Sequence, residues 1–251
     1  MEKLLEVKNV KKSFYRGNKL VDAVNGISFS IEKGECVAIV GESGSGKSTV
    51  ARMITNLTTV DSGKIILDGI DITNAKGKKL VSIYRKIQMV FQMPVSSFNP
   101  RLTLGESIME NLVNKGLTRE SARNKMLNLL EICGLKKEYS KRYPHQVSGG
   151  ECQRAAIARA ISINPELIIL DEATSALDVT VQAQIVDLLM KLKKETGISY
   201  IFICHDIALV QNICDRIIVM RNGEIEEEGI TSDVIKNPNN DYTKMLIDSV
   251  L

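Results

Sequence analysis

Nine residues constrain this chain more than any others: Gly41-Glu42-Ser43-Gly44-Ser45-Gly46-Lys47-Ser48-Thr49. They match the phosphate-binding pattern G-x-x-x-x-G-K-[ST] at every fixed position. The apolar run Cys36-Val37-Ala38-Ile39-Val40 precedes them and reads as a buried strand. Val50, Met53, Ile54 and Leu57 follow at helical spacing. The loop therefore joins a strand end to a helix start. Its glycines lack Cβ atoms, so backbone N–H groups can curl around phosphate oxygens. The helix N-terminus aims partial positive charge at the same oxygens. Lys47 is expected to reach the β- and γ-phosphates of a nucleotide, and the Ser48 hydroxyl to bind Mg²⁺.

Such a loop needs a carboxylate from a neighbouring strand end to hold the metal. Asp171 closes the apolar strand Leu167-Ile168-Ile169-Leu170 and fits that role. Ligands of open parallel sheets bind beyond the carboxyl ends of the strands, where Asp171, Glu172 and His205 stand. Glu172 is the best general base for a water attacking the γ-phosphate. Helix capping after the strand is the bland alternative for this pair, and the phosphate loop upstream favours catalysis. His205 ends a strand predicted over 198–204. A lone His there is often structural, but parallel to the Asp171 strand it could orient the attack. Gln92 follows a strand predicted over 84–91 and could bind Mg²⁺ or water. Ser148-Gly149-Gly150 stand ahead of a helix predicted from about Cys152 to Ser162, a second anion site by the same dipole logic. One nucleotide needs one γ-phosphate site, so this second site is expected to serve ATP held by another subunit.

The chain's 251 residues can bury a full α/β core with one small insert. A net charge of +3 is too weak to suggest nucleic acid, and the basic pairs Lys78-Lys79, Lys136-Lys137 and Lys193-Lys194 read as solvated helix faces. No apolar stretch reaches the ~18–20 residues that span a bilayer. The start lacks the apolar core of a signal peptide. The chain is expected to be cytosolic and to meet a membrane only through a partner. Cys36, Cys133, Cys152, Cys204 and Cys214 make no C-x-x-C pair and are expected to be reduced, mostly buried thiols.

Residues 4–10 alternate as an edge strand would, and Phe14 to Asn18 read as a turn. Val21, Val24, Ile27, Phe29 and Ile31 then belong to an antiparallel sheet. Phe14 and Tyr15 have two readings, strand packing or a flat face for an adenine ring. Residues 93–147 hold no convincing strand. Thr118 to Gly134 reads as a helix whose apolar face is Ala122, Met126, Leu129, Leu130 and Cys133. A helix through Val181, Ile185, Leu188 and Leu192, a hairpin around Asn222-Gly223 and short helices after Asp233 complete the chain. The expected fold is an α/β P-loop NTPase core with an antiparallel β subdomain (1–92 and 148–251) and an inserted α-helical subdomain (93–147).

In this order the motifs resemble the nucleotide-binding subunit of ATP-binding-cassette (ABC) transporters, over nearly the whole chain. The matching pieces are the Walker A loop 41–49, the Q-loop Gln92 and the signature Val147-Ser148-Gly149-Gly150-Glu151. They continue with the Walker B Asp171 and Glu172, the D-loop Ser175-Ala176-Leu177-Asp178 and the switch His205. The signature departs from L-S-G-G-Q at Val147 and Glu151. The resemblance implies two such ATPase subunits, identical or distinct, sandwiching two ATP molecules head to tail, each Walker A facing the other chain's signature. Phe14, in preference to Tyr15, would stack on adenine. The helical insert would dock on transmembrane permease subunits at the cytoplasmic face of the membrane, with Gln92 linking that dock to the γ-phosphate. Closure on ATP and opening after hydrolysis would drive transport.

The run from Gln92 to Arg101 resembles Q-D-P-x-x-S-L-N-P-R of peptide and nickel importer ATPases, with Met93 for Asp and Phe98 for Leu. Tyr143-Pro144-His145-Gln146, and Asn237-Pro238 with Tyr242-Thr243-Lys244, are similar to the same group. Many peptide members continue past this tail, and the stop at Leu251 tilts the expectation toward the nickel or metal-chelate type. The function implied is ATP hydrolysis, with Mg²⁺, driving uptake of nickel, a metal chelate or peptides through a separate permease, indirectly served by a solute-binding protein. The alternative is a soluble non-transport cassette ATPase such as an iron–sulfur assembly factor, against which the run 92–101 speaks. A DNA-repair or ribosome-acting cassette would need a coiled-coil insert or more positive charge.

Overall fold

A long hairpin opens the chain: β1 (Lys3–Arg16) pairs antiparallel with β2 (Lys19–Glu32). The computed structural model describes residues 2–175 and 177–249. The turn expected at Phe14 to Asn18 is shorter than that. Phe14 and Tyr15 stay in β1, paired with Val21 and Leu20, and the chain reverses at Gly17-Asn18, where Gly17 takes a φ of +63°. Next come β3 (Cys36–Val40), α1 (Lys47–Ile54), β4 (Ser62–Leu67) and β5 (Ile70–Asp71). α1 ends before Leu57, which is half-exposed rather than on the helix stripe; Thr55 bonds back to the Ala51 carbonyl and Asn56 turns left-handed. β1 is an inner strand, not an edge, because the four-stranded sheet runs β2-β1-β4-β5.

The strand expected over 84–91 is shorter than that. α2 (Gly77–Lys86) covers its first residues and only β6 (Ile87–Val90) is extended. Arg85 and Lys86 suit the last turn of a helix, where the carbonyl dipole favours cations. α3 (Leu104–Asn114) was not foreseen, although Thr103 and Glu106 form a capping box that spells its start. α4 (Arg119–Ile132) lies where the pattern predicts it. The Thr118 hydroxyl accepts from the Ser121 amide, and Gly134 stops the helix at φ +73°. α5 (Gly149–Ile161) starts earlier than expected, with Ser148 as its cap.

Then follow β7 (Leu167–Asp171), α6 (Val179–Thr196), β8 (Ser199–Cys204) and α7 (Ile207–Val210). β9 (Arg216–Arg221) and β10 (Glu224–Ile230) form the expected hairpin, with positive φ at both Asn222 and Gly223. α8 (Thr231–Lys236) and α9 (Asp241–Asp248) close the chain.

The six-stranded sheet has the order β10-β9-β3-β8-β7-β6, parallel from β9 through β6. Side-chain alternation sorts its strands into two cores. Val37, Ile39, Ile169, Ile201 and Ile203 face α1 and the antiparallel sheet. Ala38, Val40, Ile168, Leu170 and Phe202 face the helices, in one core with Leu104, Ile108, Ala122, Met126 and Leu130. The five cysteines are buried free thiols. Among the described residues, no helix is long and apolar enough to cross a membrane.

Candidate functional site

The carboxyl ends of β3, β8, β7 and β6 lie side by side, and each leads into one of the sequence-predicted site segments. β3 ends in the phosphate loop, whose glycines are dictated by close backbone neighbours. Gly46 caps α1 at φ +104°, and a Cβ there would clash with the Ala23 carbonyl. Gly41, at φ +145°, is pressed likewise by the Met220 carbonyl of β9. Ala23 reaches the loop because β2 slips register there: Lys12 pairs with Val24 but Ser13 with Asp22.

Lys47 is 3% exposed and curls over its own loop. Its ammonium donates to the carbonyls of Gly41 and Glu42 at 2.7 Å each and to Ser45 Oγ at 3.2 Å. Burial lowers its pKa, and the Glu172 and Asp171 carboxylates pull the other way. Ser48 Oγ donates to Asp171 Oδ1 at 2.8 Å, joining α1 to the end of β7. Asp171 is 7% exposed, and this burial raises its pKa despite the Ser48 bond.

Glu172 leaves the strand in a left-handed conformation, φ +48°, which a residue with a side chain rarely adopts. Its amide donates to Ile203 O, and its carbonyl accepts from the Ser175 amide and hydroxyl. Gln92, two residues past β6, donates from Nε2 to Glu172 Oε2 at 2.8 Å. His205 follows β8 directly and is exposed; Ile203, two residues earlier, is the register mate of Asp171. Ala176 of the D-loop lies outside the described residues.

Ala23, Ser43, Gly44, Gly46, Lys47, Ser48, Thr49 and Glu172 line a cleft of about 170 Å³. That is small beside the few hundred Å³ that usually enclose a ligand. A larger hollow of about 700 Å³ lies among Leu4, Lys125, Glu166 and Ser199 near the amino ends of β7 and β8, away from the loop Gly41 to Thr49.

Two sequence-predicted pieces stand apart from the cleft lining. The turn Ser148-Gly149-Gly150 forms the start of α5. Ser148 Oγ accepts from the Glu151 amide at 3.3 Å, and Glu151 Oε2 accepts from the Ser148 amide at 2.8 Å. Phe14 is 43% exposed and Tyr15 80%. As neighbours in β1 they point to opposite faces. The Lys12 ammonium, ion-paired with Asp61, lies 5.2 Å from the Phe14 ring centre.

Some contacts had no local signal. The Glu42 amide donates to the hydroxyl of Tyr242 from α9. Arg159, in the last turn of α5, lies 4.1 Å from the Phe98 ring centre and donates to Ser97 O at 2.8 Å and Ser97 Oγ at 3.1 Å. Beside this clamp a groove of about 410 Å³ runs past Leu57, Tyr84, Asn99 and Glu110.

Comparison with known proteins gives the family and the fold. The ABC transporter family profile matches residues 24–175. The chain is 44% identical over 252 residues to the oligopeptide transport ATP-binding protein OppF of Bacillus subtilis (strain 168), covering 99% of this chain and 83% of that protein. It is 41% identical over 239 residues to the dipeptide transport ATP-binding protein DppF of Escherichia coli (strain K12), covering 95% and 72%. A solved dimer of the ATP-binding cassette MJ0796, in a post-hydrolysis state with ADP and Pi, superposes with a TM-score of 0.84 at 34% identity, covering 91% of this chain and 99% of that one. With a phosphate loop, a strand-end carboxylate pair and a capped signature turn on this fold, the chain belongs to the ABC transporter family as an ATP-hydrolysing, ATP-binding subunit.

Proposed function

We propose that this subunit powers a peptide importer, hydrolysing ATP with Glu172 as the base. The observation that carries the reading is a pair of bonds at neighbouring strand ends, Ser48 to Asp171 and Gln92 to Glu172, each 2.8 Å. Ser48 Oγ and Asp171 Oδ1 are hard oxygen donors, and the Gln92 carbonyl oxygen stays available because its nitrogen is turned to Glu172. This set suits Mg²⁺, which takes few protein ligands and fills its shell with phosphate and water. When bound, Mg²⁺ would neutralise charge on the β- and γ-phosphates.

Lys47 exchanges its loop carbonyls for phosphate oxygens, which are stronger acceptors. The loop from Gly41 to Thr49, including Glu42, Ser43, Gly44 and Ser45, wraps the phosphates with backbone N–H groups. Phe14 stacks on adenine from the β1–β2 hairpin. Glu172 accepts the proton of the attacking water, held in aim by Gln92, while His205 orients the γ-phosphate. The small volume of the cleft fits a site of which one chain supplies only half. Ser148, Gly149 and Gly150 complete the site on a second ATPase subunit.

Residues 93–147 act as the helical subdomain that meets the permease, and the groove beside Ser97 and Arg159 is its dock. Met93 and Val95, exposed in the segment that leads to Ser97, support an apolar contact with the permease. The permease then holds the chain at the cytoplasmic face of the membrane, and a solute-binding protein delivers cargo to it. The names of the OppF and DppF relatives support peptides in preference to the nickel or chelate cargo suggested by the tail. They do not favour the iron–sulfur assembly alternative.

The test is uptake by vesicles carrying the assembled transporter. Labelled di- and oligopeptides are expected to accumulate only with ATP. Accumulation of Ni²⁺ without peptide would overturn the cargo.

A further inference from the structure

The signature turn carries an acidic residue in an awkward place. Glu151 is the third residue of α5, where a carboxylate normally complements the helix dipole. Here the same helix end is read as the receptor for a triphosphate. A free carboxylate would compete for the Gly149 and Gly150 N–H groups and repel the phosphate.

Both oxygens of this carboxylate are occupied. Oε2 accepts from the Ser148 amide at 2.8 Å, and Oε1 accepts from the hydroxyl of Tyr139. Tyr139 stands twelve residues upstream, in the 3₁₀ turn Lys137–Lys141, with its ring packed against the helical core. The Tyr139 hydroxyl, and then the Ser148 amide, hold the Glu151 pKa below the ordinary glutamate value. The carboxylate is thus tethered to the Ser148 side of the turn. The Ser148 hydroxyl accepts from the Glu151 amide and keeps its own proton to donate.

We propose that Tyr139 is a positioning residue for ATP held by the other subunit: its hydroxyl seats the Glu151 carboxylate on the Ser148 amide and keeps the Ser148-Gly149-Gly150 turn open to phosphate. This rests on the reading of that turn given under the proposed function. Without Tyr139 the carboxylate can swing onto the orphan N–H groups of the first helical turn. A neutral glutamine would not need the tether.

Steady-state ATPase kinetics of the assembled transporter test this. Tyr139→Phe keeps the packed ring and removes only the hydroxyl. It is expected to raise KM for ATP about tenfold, the scale of one hydrogen bond to a charged group, with a smaller change in kcat. The double variant Tyr139→Phe/Glu151→Gln is expected to match Glu151→Gln alone within about twofold. A Tyr139→Phe enzyme with unchanged KM overturns the proposal. So does a defect of equal size in the Glu151→Gln background, which is what a merely structural tyrosine would give. The underlying reading is checked separately: if Ser148→Arg still forms the ATP-dependent closed dimer, the shared site fails whatever Tyr139 does.

Discussion

Gln92 Nε2 and Glu172 Oε2 are 2.8 Å apart, so a side chain two residues past β6 holds the carboxylate that follows β7. These strands are parallel neighbours, and the bond spans their carboxyl ends. Gln92 belongs to the segment that runs into Ser97, Phe98 and the adjoining groove. Anything that shifts that segment shifts the partner of the proposed base.

Glu172→Gln is expected to keep ATP binding and to lower hydrolysis about a hundredfold or more, the loss typical of a positioned base. The amide can still meet Gln92, so the turn survives. Binding of labelled ATP and phosphate release, measured on the same preparation, separate the two. Turnover near wild type would remove Glu172 from the role.

Asp171→Asn is expected to stabilise the nucleotide-free protein while abolishing hydrolysis. Burial raises the Asp171 pKa above its ordinary value of 3.8. A raised carboxylate pKa means the folded chain binds the proton more tightly than the unfolded chain. Stability from this group is therefore greatest below the unfolded pKa and falls as pH rises through the folded one. At neutral pH the ionised group costs stability, and asparagine removes that cost. Each kcal/mol regained would lift Tm by about 2–4 °C. Thermal melts at pH 7 check the sign, and a lower Tm for the variant contradicts it.

Ser148→Arg is expected to spare nucleotide binding by the single chain and to block the closed dimer. The arginine would put a long side chain where the proposed shared site places the other subunit's γ-phosphate. Light scattering with ATP in a Glu172→Gln background reads the dimer directly.

Arg159→Ala is expected to loosen transport from hydrolysis. It removes two hydrogen bonds to Ser97 and the cation over Phe98. Peptide uptake per ATP hydrolysed should fall about fivefold or more, a loss on the scale of one or two hydrogen bonds. Arg159→Lys should restore little, since an ammonium lacks the planar fork that meets both Ser97 oxygens. Uptake and phosphate release in the same vesicles give the ratio.

The phosphate loop was legible because its chemistry is local: glycines and a lysine at fixed spacing beside an apolar strand. β7 and β8 were legible because strands buried on both faces are continuously apolar. Phe14 was misplaced because Gly17-Asn18 is so strong a turn signal that it hid the extended residues just before it. Tyr84 to Lys86 passed for strand because an aromatic and an apolar run followed directly, although the basic pair suits a helix end. The contacts that tie the site to its surroundings left no periodic trace. Tyr139 meets Glu151 across twelve residues, and Arg159 meets Ser97 across sixty-two.

α5 carries Ser148 at one end and Arg159 in its last turn, with thirteen helical residues from Gly149 to Ile161. A helix of that length is a strut of about 20 Å that bends little and does not stretch. Cargo arriving at a permease and nucleotide arriving at a sister ATPase would then press on opposite tips of one rod. The gearing of such an engine would be set by the rod's length, so inserting or deleting a single residue inside it would rotate one tip against the other by about 100°.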